Sequence, residues 1–200
     1  MHELIKVMLA ELRPTQCAVG YEEVELKRQS WSSRTAEQKS DYIASRPFPA
    51  VLGPCKRYFI IDGHHLGLAL LKEGVDWVWV RPVADFSRLG EDDFWKHMAQ
   101  KGFLCPSPAN AEEQGAIPEH LEALGDDPYR SLVGRLRRTC GCPKDGSPFA
   151  EFRWADLLRR YISPESLRAH PDATLASARE LVRRTFCPHL SAQCRCADCA

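Results

Sequence analysis

Short apolar runs separated by polar and turn-forming residues fill the first half of the chain, and this pattern predicts a small sheet. The segment LIKVML predicts a first strand that ends before Pro14. FPAVL and RYFII predict two more strands, because residues 53–56 between them have the composition of a turn. VDWVWV is apolar throughout and rich in β-branched and aromatic residues. We therefore expect a strand buried on both faces there, with Trp77 and Trp79 in the core.

Apolar residues at spacings of three and four predict helices between these strands and through the second half. Thr35 is placed to cap a helix in AEQKSDYIAS, and Gly74 to end one that starts after Asp62. VGYEEVELKRQSW predicts a polar loop or a short helix, whereas EDDFWKHMAQKG begins acidic and ends basic, which is typical of helices. Three more helices are predicted in DPYRSLVGRLRRT, PFAEFRWADLLRRYI and DATLASARELVRRTF.

The order of these elements predicts an α+β fold in which a small mixed sheet is followed by helices. The expected segments are an α+β core over residues 1–105, a proline-rich connector over 106–127, a helical extension over 128–186 and a cysteine-rich tail over 187–200. A hydrophobic content of 44% suits a globular chain. The apolar runs are shorter than the ~20 residues of a membrane helix, and the first residues lack the pattern of a secretory signal. We expect a cytoplasmic protein with no membrane partner.

The charge balance gives little support to a nucleic-acid partner. The formal net charge is zero, with 14 basic and 17 acidic residues in 1–120 against 13 and 10 in 121–200. An asymmetry of this size is also produced by helices with an arginine-bearing surface. Nucleic acid is therefore a possible partner that the composition does not favour.

The motif Asp62-Gly63-His64-His65 is the strongest chemical signal, because it lies where a strand gives way to a helix. The first amides of a helix have no internal partners and carry positive potential, so phosphate binds well there. Gly63 would let the backbone approach a ligand, and the histidines, which we expect outside the core, would add donors. The alternative is structural: Asp62 caps the helix and the histidines are ordinary first-turn residues.

This motif resembles the ParB/sulfiredoxin superfamily, and within it the group of ParB-like nucleases. Further agreement comes from LRPTQCAVGYEEVELK, DDPYRSLVGRLRR and PFAEFRWADLLRR, so the resemblance spans residues 5–160 in order. The resemblance implies a ParB/sulfiredoxin-like mixed-sheet core. Members include ATP-dependent sulfiredoxins, free-serine kinases, CTP-hydrolysing partition proteins and proteins to which nuclease activity is attributed, so the fold alone does not select a function.

Two departures from the superfamily pattern narrow the choice. Sulfiredoxin chemistry needs a cysteine in the turn, where this chain has His64 and His65, so we do not expect that activity. Many relatives place an arginine after the histidine to hold phosphate, whereas this chain has Leu66. Arg57, Arg81 or a later arginine would have to substitute for it. The chain also shows no recognisable DNA-reading helix.

The resemblance implies a Mg²⁺-dependent nucleotide- or phosphate-binding protein that acts as a phosphotransferase or nucleotide hydrolase on a small substrate. Alternatives are a DNA-associated protein, either a nuclease or a partition-type clamp, and a non-catalytic ligand-sensing module. For Glu23 and Lys27, which the resemblance suggests as site residues, the alternative is an ordinary ion pair within one helix. The expected catalytic residues are Glu23, Asp62 and His64, with Asp62 as the Mg²⁺ ligand. The expected cofactor-binding residues are Gly63, His64, His65, Gln16 and Lys27.

Nine cysteines are present, and four of them crowd the last fourteen positions. Thiolates and an imidazole at short spacing can bind zinc, although one terminal stretch lacks the usual second pair of ligands. Cys140 and Cys142 could supply that pair, and the alternative is a tail with reactive thiols. The candidate zinc ligands are Cys187, His189, Cys194, Cys196 and Cys199.

Overall fold

The computed structural model describes residues 3–105, 116–140 and 150–186. The chain divides into two compact units, Met1–Asp126 and Asp127–Ala200. The first unit holds a mixed sheet with helices and the second is helical, so the predicted α+β class is confirmed. Within the described residues no helix is long and apolar enough to cross a membrane.

The main sheet of the first unit has four strands in the order β1-β5-β3-β4. β1 is antiparallel to β5, β5 is parallel to β3, and β3 is antiparallel to β4. A second, two-stranded sheet pairs β2 in parallel with β6. The strands are β1 (Ile5–Met8), β2 (Ala18–Val19), β3 (Phe48–Leu52), β4 (Tyr58–Ile60), β5 (Trp77–Asp85) and β6 (Gly125–Asp126).

Among the described residues of the first unit, four α-helices accompany these strands. The predicted cap is confirmed: the Thr35 hydroxyl accepts the Gln38 N–H, and the Gln38 side chain accepts the Thr35 N–H. The segment for which a loop or a short helix was predicted forms a regular helix of 12 residues. The helices are α1 (Tyr21–Ser32), α2 (Ala36–Ala44), α3 (His64–Lys72) and α4 (Glu91–Gln100).

The expectation that β5 is buried on both faces is wrong. Val78 and Val80 are fully buried in the main core, whereas Trp77, on the opposite face, is 36% exposed. The Lys6 ammonium lies 3.6 Å from the centre of the Trp77 ring, and Trp79 contacts Trp77 edge to face. A run of aromatic and β-branched residues therefore marked a strand correctly, but two of its aromatic rings lie outside the core.

Residues 121–126, at the end of the predicted connector, pack into the core of the first unit. Leu121 and Leu124 are each 1% exposed and lie in the same core cluster as Val78 and Leu68. Leu121 begins a 3-10 turn, Leu121–Ala123, and Leu124 connects this turn to β6. We refer to residues 121–126 as the closing segment, because they complete the core of this unit.

The described residues of the second unit form four helices, one more than the three that were predicted. The additional short helix is α7, whose start is capped by Ser163 accepting the Ser166 N–H at 3.1 Å. The Tyr129 hydroxyl donates to the Ile162 carbonyl at 2.7 Å, and burial raises the pKa of Tyr129. The helices are α5 (Pro128–Cys140), α6 (Ala150–Tyr161), α7 (Pro164–Ala169) and α8 (Pro171–Phe186).

Candidate functional site

The turn between β4 and α3 has the predicted strand–glycine–helix form. Gly63 is the residue before the helix and has a left-handed backbone, with φ of +86°, which favours glycine. A Cβ at this position would lie 3.0 Å from the Phe48 ring, so the missing side chain leaves room for the core. Asp62 is exposed, and its Oδ1 accepts the Gly63 N–H at 2.6 Å. Asp62 therefore closes the turn and does not cap the first turn of α3.

His64 lies in the core, contrary to our expectation of a position outside it. Its side chain is 3% exposed, and Nε2 accepts the backbone N–H of Thr15 at 3.0 Å. Thr15 is itself fully buried and donates its hydroxyl to the Ile60 carbonyl at 2.8 Å. An imidazole that accepts at Nε2 carries its proton on Nδ1 and is neutral. His64 therefore joins the start of α3 to the segment before β2.

His65 makes the equivalent contact with a different part of the chain. Its Nε2 accepts the N–H of Gly20 at 3.0 Å, and Gly20 is the residue at which α1 begins. At the other end of the two helices, Arg28 and Ser32 of α1 each donate to the Glu73 carboxylate at 2.8 Å. The Ser32 hydroxyl and the Arg28 guanidinium lower the pKa of Glu73. α1 and α3 are therefore parallel, and their N-terminal ends lie side by side.

The closing segment also contacts the start of α1. The Tyr21 N–H donates to Asp126 Oδ1 at 2.8 Å, and the Tyr21 hydroxyl donates to the Leu124 carbonyl at 2.8 Å. Gly125 donates its N–H to the Cys17 carbonyl at 3.0 Å. Sequence reasoning missed this role, although the spacing of three between Leu121 and Leu124 was a signal for a packed turn.

The two helix starts differ in their acidic residues. Helix N-termini each carry an effective charge of about +0.5. The first turn of α1 contains Glu22 and Glu23, and Asp126 accepts its first N–H, so carboxylates already balance that end. The first turn of α3 contains no acidic residue. The first turn of α3 therefore has no carboxylate of its own, and the acidic residue next to it in sequence is Asp62, which accepts the Gly63 N–H.

Comparison with known proteins agrees with this architecture. A family model described as "Putative ParB-like nuclease" matches residues 5–160. The chain belongs to this ParB-like family. The crystal structure of protein Atu1540 from Agrobacterium tumefaciens is similar, with 43% identity, a TM-score of 0.80, and 90% of this chain and 92% of that chain covered.

Similarity to a second solved structure and to curated proteins is weak or absent. A conserved hypothetical protein from Pyrococcus furiosus is 19% identical, with a TM-score of 0.31 and coverage of 44% of this chain and 34% of that chain. No curated protein matches the chain. Family membership therefore rests on the family model and on the Agrobacterium structure.

In this ParB-like fold, most of the predicted site residues lie near the paired helix starts. Gln16 is 3% exposed, and its Nε2 donates to the Ala18 carbonyl at 3.0 Å. Glu23 lies in the first turn of α1 and is half-buried, and Lys27 follows one turn later on the same helix.

Arg57, which could have replaced the missing arginine, pairs with Glu119 at 3.2 Å. Arg81 is an exposed residue of β5.

The predicted metal sites have different outcomes. Among the residues that the structure describes, no group of three or more His, Cys, Asp or Glu side chains could hold a metal ion. Mg²⁺ is often bound by one carboxylate together with substrate phosphates, and the exposed Asp62 suits that mode. The candidate zinc ligands Cys187, His189, Cys194, Cys196 and Cys199 lie outside the described residues, as does Cys142. Cys140 is the last residue of α5.

Proposed function

We propose that this protein binds the phosphate groups of a nucleotide at the start of α3. It would then transfer a phosphoryl group from the nucleotide to a small-molecule substrate or to water. The observation that carries the proposal is that the starts of α1 and α3 lie side by side, and that the first turn of α1 has acidic residues whereas the first turn of α3 has none. Family membership supports the proposal at the level of the fold, and the chemistry is inferred from the described residues.

The start of α3 provides backbone donors whose positions are fixed before a ligand arrives. The first amides of an α-helix point out of its N-terminal end, and the left-handed Gly63 begins the turn that leads into α3. His64 and His65 bind Thr15 and Gly20, so the neighbouring backbone is held against the helix. In this proposal the two histidines position the site, and they contribute less as direct charge partners of phosphate.

Two carboxylates, Glu23 and Asp62, could serve as the general base and the Mg²⁺ ligand of phosphoryl transfer. Such reactions depend mainly on positioning and on charge stabilisation. In this proposal Glu23 accepts a proton from an acceptor hydroxyl or from water, and Asp62 shares a Mg²⁺ ion that arrives with the nucleotide. When bound, that ion would neutralise charge on the phosphates.

A thermal-shift panel of ATP, ADP, CTP and GTP, each with and without Mg²⁺, tests the binding step. A ligand at a hundred times its Kd should raise the free energy of unfolding by about 2.7 kcal/mol. Asp62→Asn keeps the oxygen that accepts the Gly63 N–H but removes the charge. We expect it to weaken Mg²⁺-dependent binding about tenfold, or ~1.4 kcal/mol.

Asp92→Asn is the matched control, because Asp92 is exposed in the first turn of α4. It should leave nucleotide binding unchanged. Failure of all four nucleotides to stabilise the wild-type protein would end the nucleotide proposal. Binding without turnover of any acceptor or water would instead favour the ligand-sensing alternative.

A DNA-associated role is the second candidate, because the family description names a nuclease and the charge is unevenly divided. Residues 127–200 contain 13 basic and 8 acidic residues, for a net charge of +5, whereas residues 1–126 contain 14 and 19, for −5. Such a surface would bind DNA weakly, with an affinity that falls steeply as salt is added.

We expect weak, sequence-indifferent DNA binding and no cleavage with Mg²⁺ or Mn²⁺, since the net charge of the chain is zero and its sequence shows no recognisable DNA-reading helix. Gel assays on supercoiled and linear DNA at several salt concentrations measure this. Cutting by purified protein that is lost in Asp62→Asn would reverse the ranking of the two candidates.

A further inference from the structure

Two guanidinium groups and an imidazole converge on one carboxylate in the first unit, outside the paired helix starts. Arg13 Nη2 and Arg57 Nη1 lie 3.3 and 3.2 Å from the same oxygen, Glu119 Oε1. Arg13 Nη1 also donates to the Glu119 carbonyl at 2.8 Å and lies 2.9 Å from His120 Nδ1. These residues come from three separate segments, so the cluster is a product of the fold.

Arg13 is the buried member of this cluster. Its side chain is only 11% exposed, and its backbone pairs with Tyr58 and Ile60 through two hydrogen bonds of 2.9 Å. In the part of the chain that the structure describes, its buried Nε has no hydrogen-bond partner. A buried cation with an unused donor is costly unless it serves an anion. The backbone of Arg13 is therefore fixed, and its guanidinium keeps one donor that no described residue accepts from.

Glu119 is a weakly held occupant of the position between the arginines. Its side chain is 62% exposed, and both guanidiniums contact one of its two oxygens. Of the two ion pairs, the one with Arg57 is exposed on both sides, and exposed ion pairs contribute little to stability. A phosphate dianion offers more charge and more acceptor oxygens, and guanidinium groups bind it in a two-pronged manner. Such an anion can displace the Glu119 side chain.

We propose that Arg13, Arg57 and His120 form a second anion site, selective for phosphate dianions, and that Glu119 fills it when no ligand is bound. The ligand is inorganic phosphate or the terminal phosphate of a phosphorylated compound. This inference is independent of the nucleotide proposal, because none of its four residues takes part in the contacts between α1 and α3.

Titration calorimetry with inorganic phosphate tests the site in the full-length chain. Glu119→Gln removes the competing charge and should tighten phosphate binding about fivefold. Arg57→Gln should weaken it about tenfold, and Arg57 is 49% exposed, so the fold should tolerate the change. Arg88→Gln, an exposed arginine in the turn after β5, is the control and should match the wild type.

The same variants titrated with ATP separate the two sources of phosphate. A change with inorganic phosphate alone identifies a site for the free anion, and a parallel change with ATP identifies a subsite for a nucleotide phosphate; both support the proposal. If Glu119→Gln binds neither ligand more tightly than Arg88→Gln does, the proposal is overturned, whatever the result of the nucleotide panel.

Discussion

Replacing His64 with alanine is expected to lower the free energy of unfolding by about 3 kcal/mol. The imidazole is 3% exposed and accepts the N–H of Thr15, which is fully buried. Alanine would leave a cavity and a buried amide without its acceptor. Both costs fall on the core of the first unit, so a loss of ligand binding in this variant would not by itself show contact with a ligand.

Urea unfolding followed by tryptophan fluorescence measures this effect, because Trp31, Trp77, Trp79 and Trp95 all lie in the first unit. His64→Gln restores an acceptor near the position of Nε2 and should recover part of the loss. The control is His97→Ala, an exposed residue of α4, which should change stability by less than about 0.5 kcal/mol. Wild-type stability in His64→Ala would contradict the structural role assigned to this residue.

Local sequence signals located the starts of α2 and α3 and the turn before α3 correctly. Thr35 and Gln38 form the cap that their spacing predicts, and a glycine followed by an apolar helical pattern marked the start of α3. These features depend on residues a few positions apart, so backbone geometry is enough to predict them. The same kind of reasoning identified β5 but not its exposed face, because apolar composition does not reveal which face another element will cover.

The partners of the two histidines could not be predicted, because they are backbone groups far away in sequence. Thr15 is 49 residues from His64, and Gly20 is 45 residues from His65. A backbone N–H has no residue-type signature, so adjacent histidines looked like ligands for phosphate. The contact between Arg13 and Glu119 spans 106 residues and has the same limitation. Long-range polar contacts therefore changed the interpretation of His64 and His65.

The distinct environments of His64 and His65 separate stability from binding. His64 is anchored within the core, whereas His65 is half-buried and contacts the residue at which α1 begins. Loss of the His65 contact would remove the acceptor of the Gly20 N–H, so that the start of α1 would still be held by the closing segment but no longer tied to α3 there. The acidic first turn of α1 would then be free to shift relative to the phosphate position, which is the geometry on which the proposed function depends.

Replacing His65 with alanine is therefore expected to weaken nucleotide binding about 30-fold, or ~2 kcal/mol, because the paired helix starts lose their alignment. The stability cost should be smaller, about 1 kcal/mol for one hydrogen bond. His65→Gln supplies an acceptor without an imidazole and should restore most of the affinity if the residue acts by position. Calorimetry with the nucleotide selected by the thermal-shift panel measures all three proteins. Low affinity in both variants would assign the imidazole a direct contact with the ligand, and unchanged affinity in His65→Ala would show that binding does not depend on the start of α1.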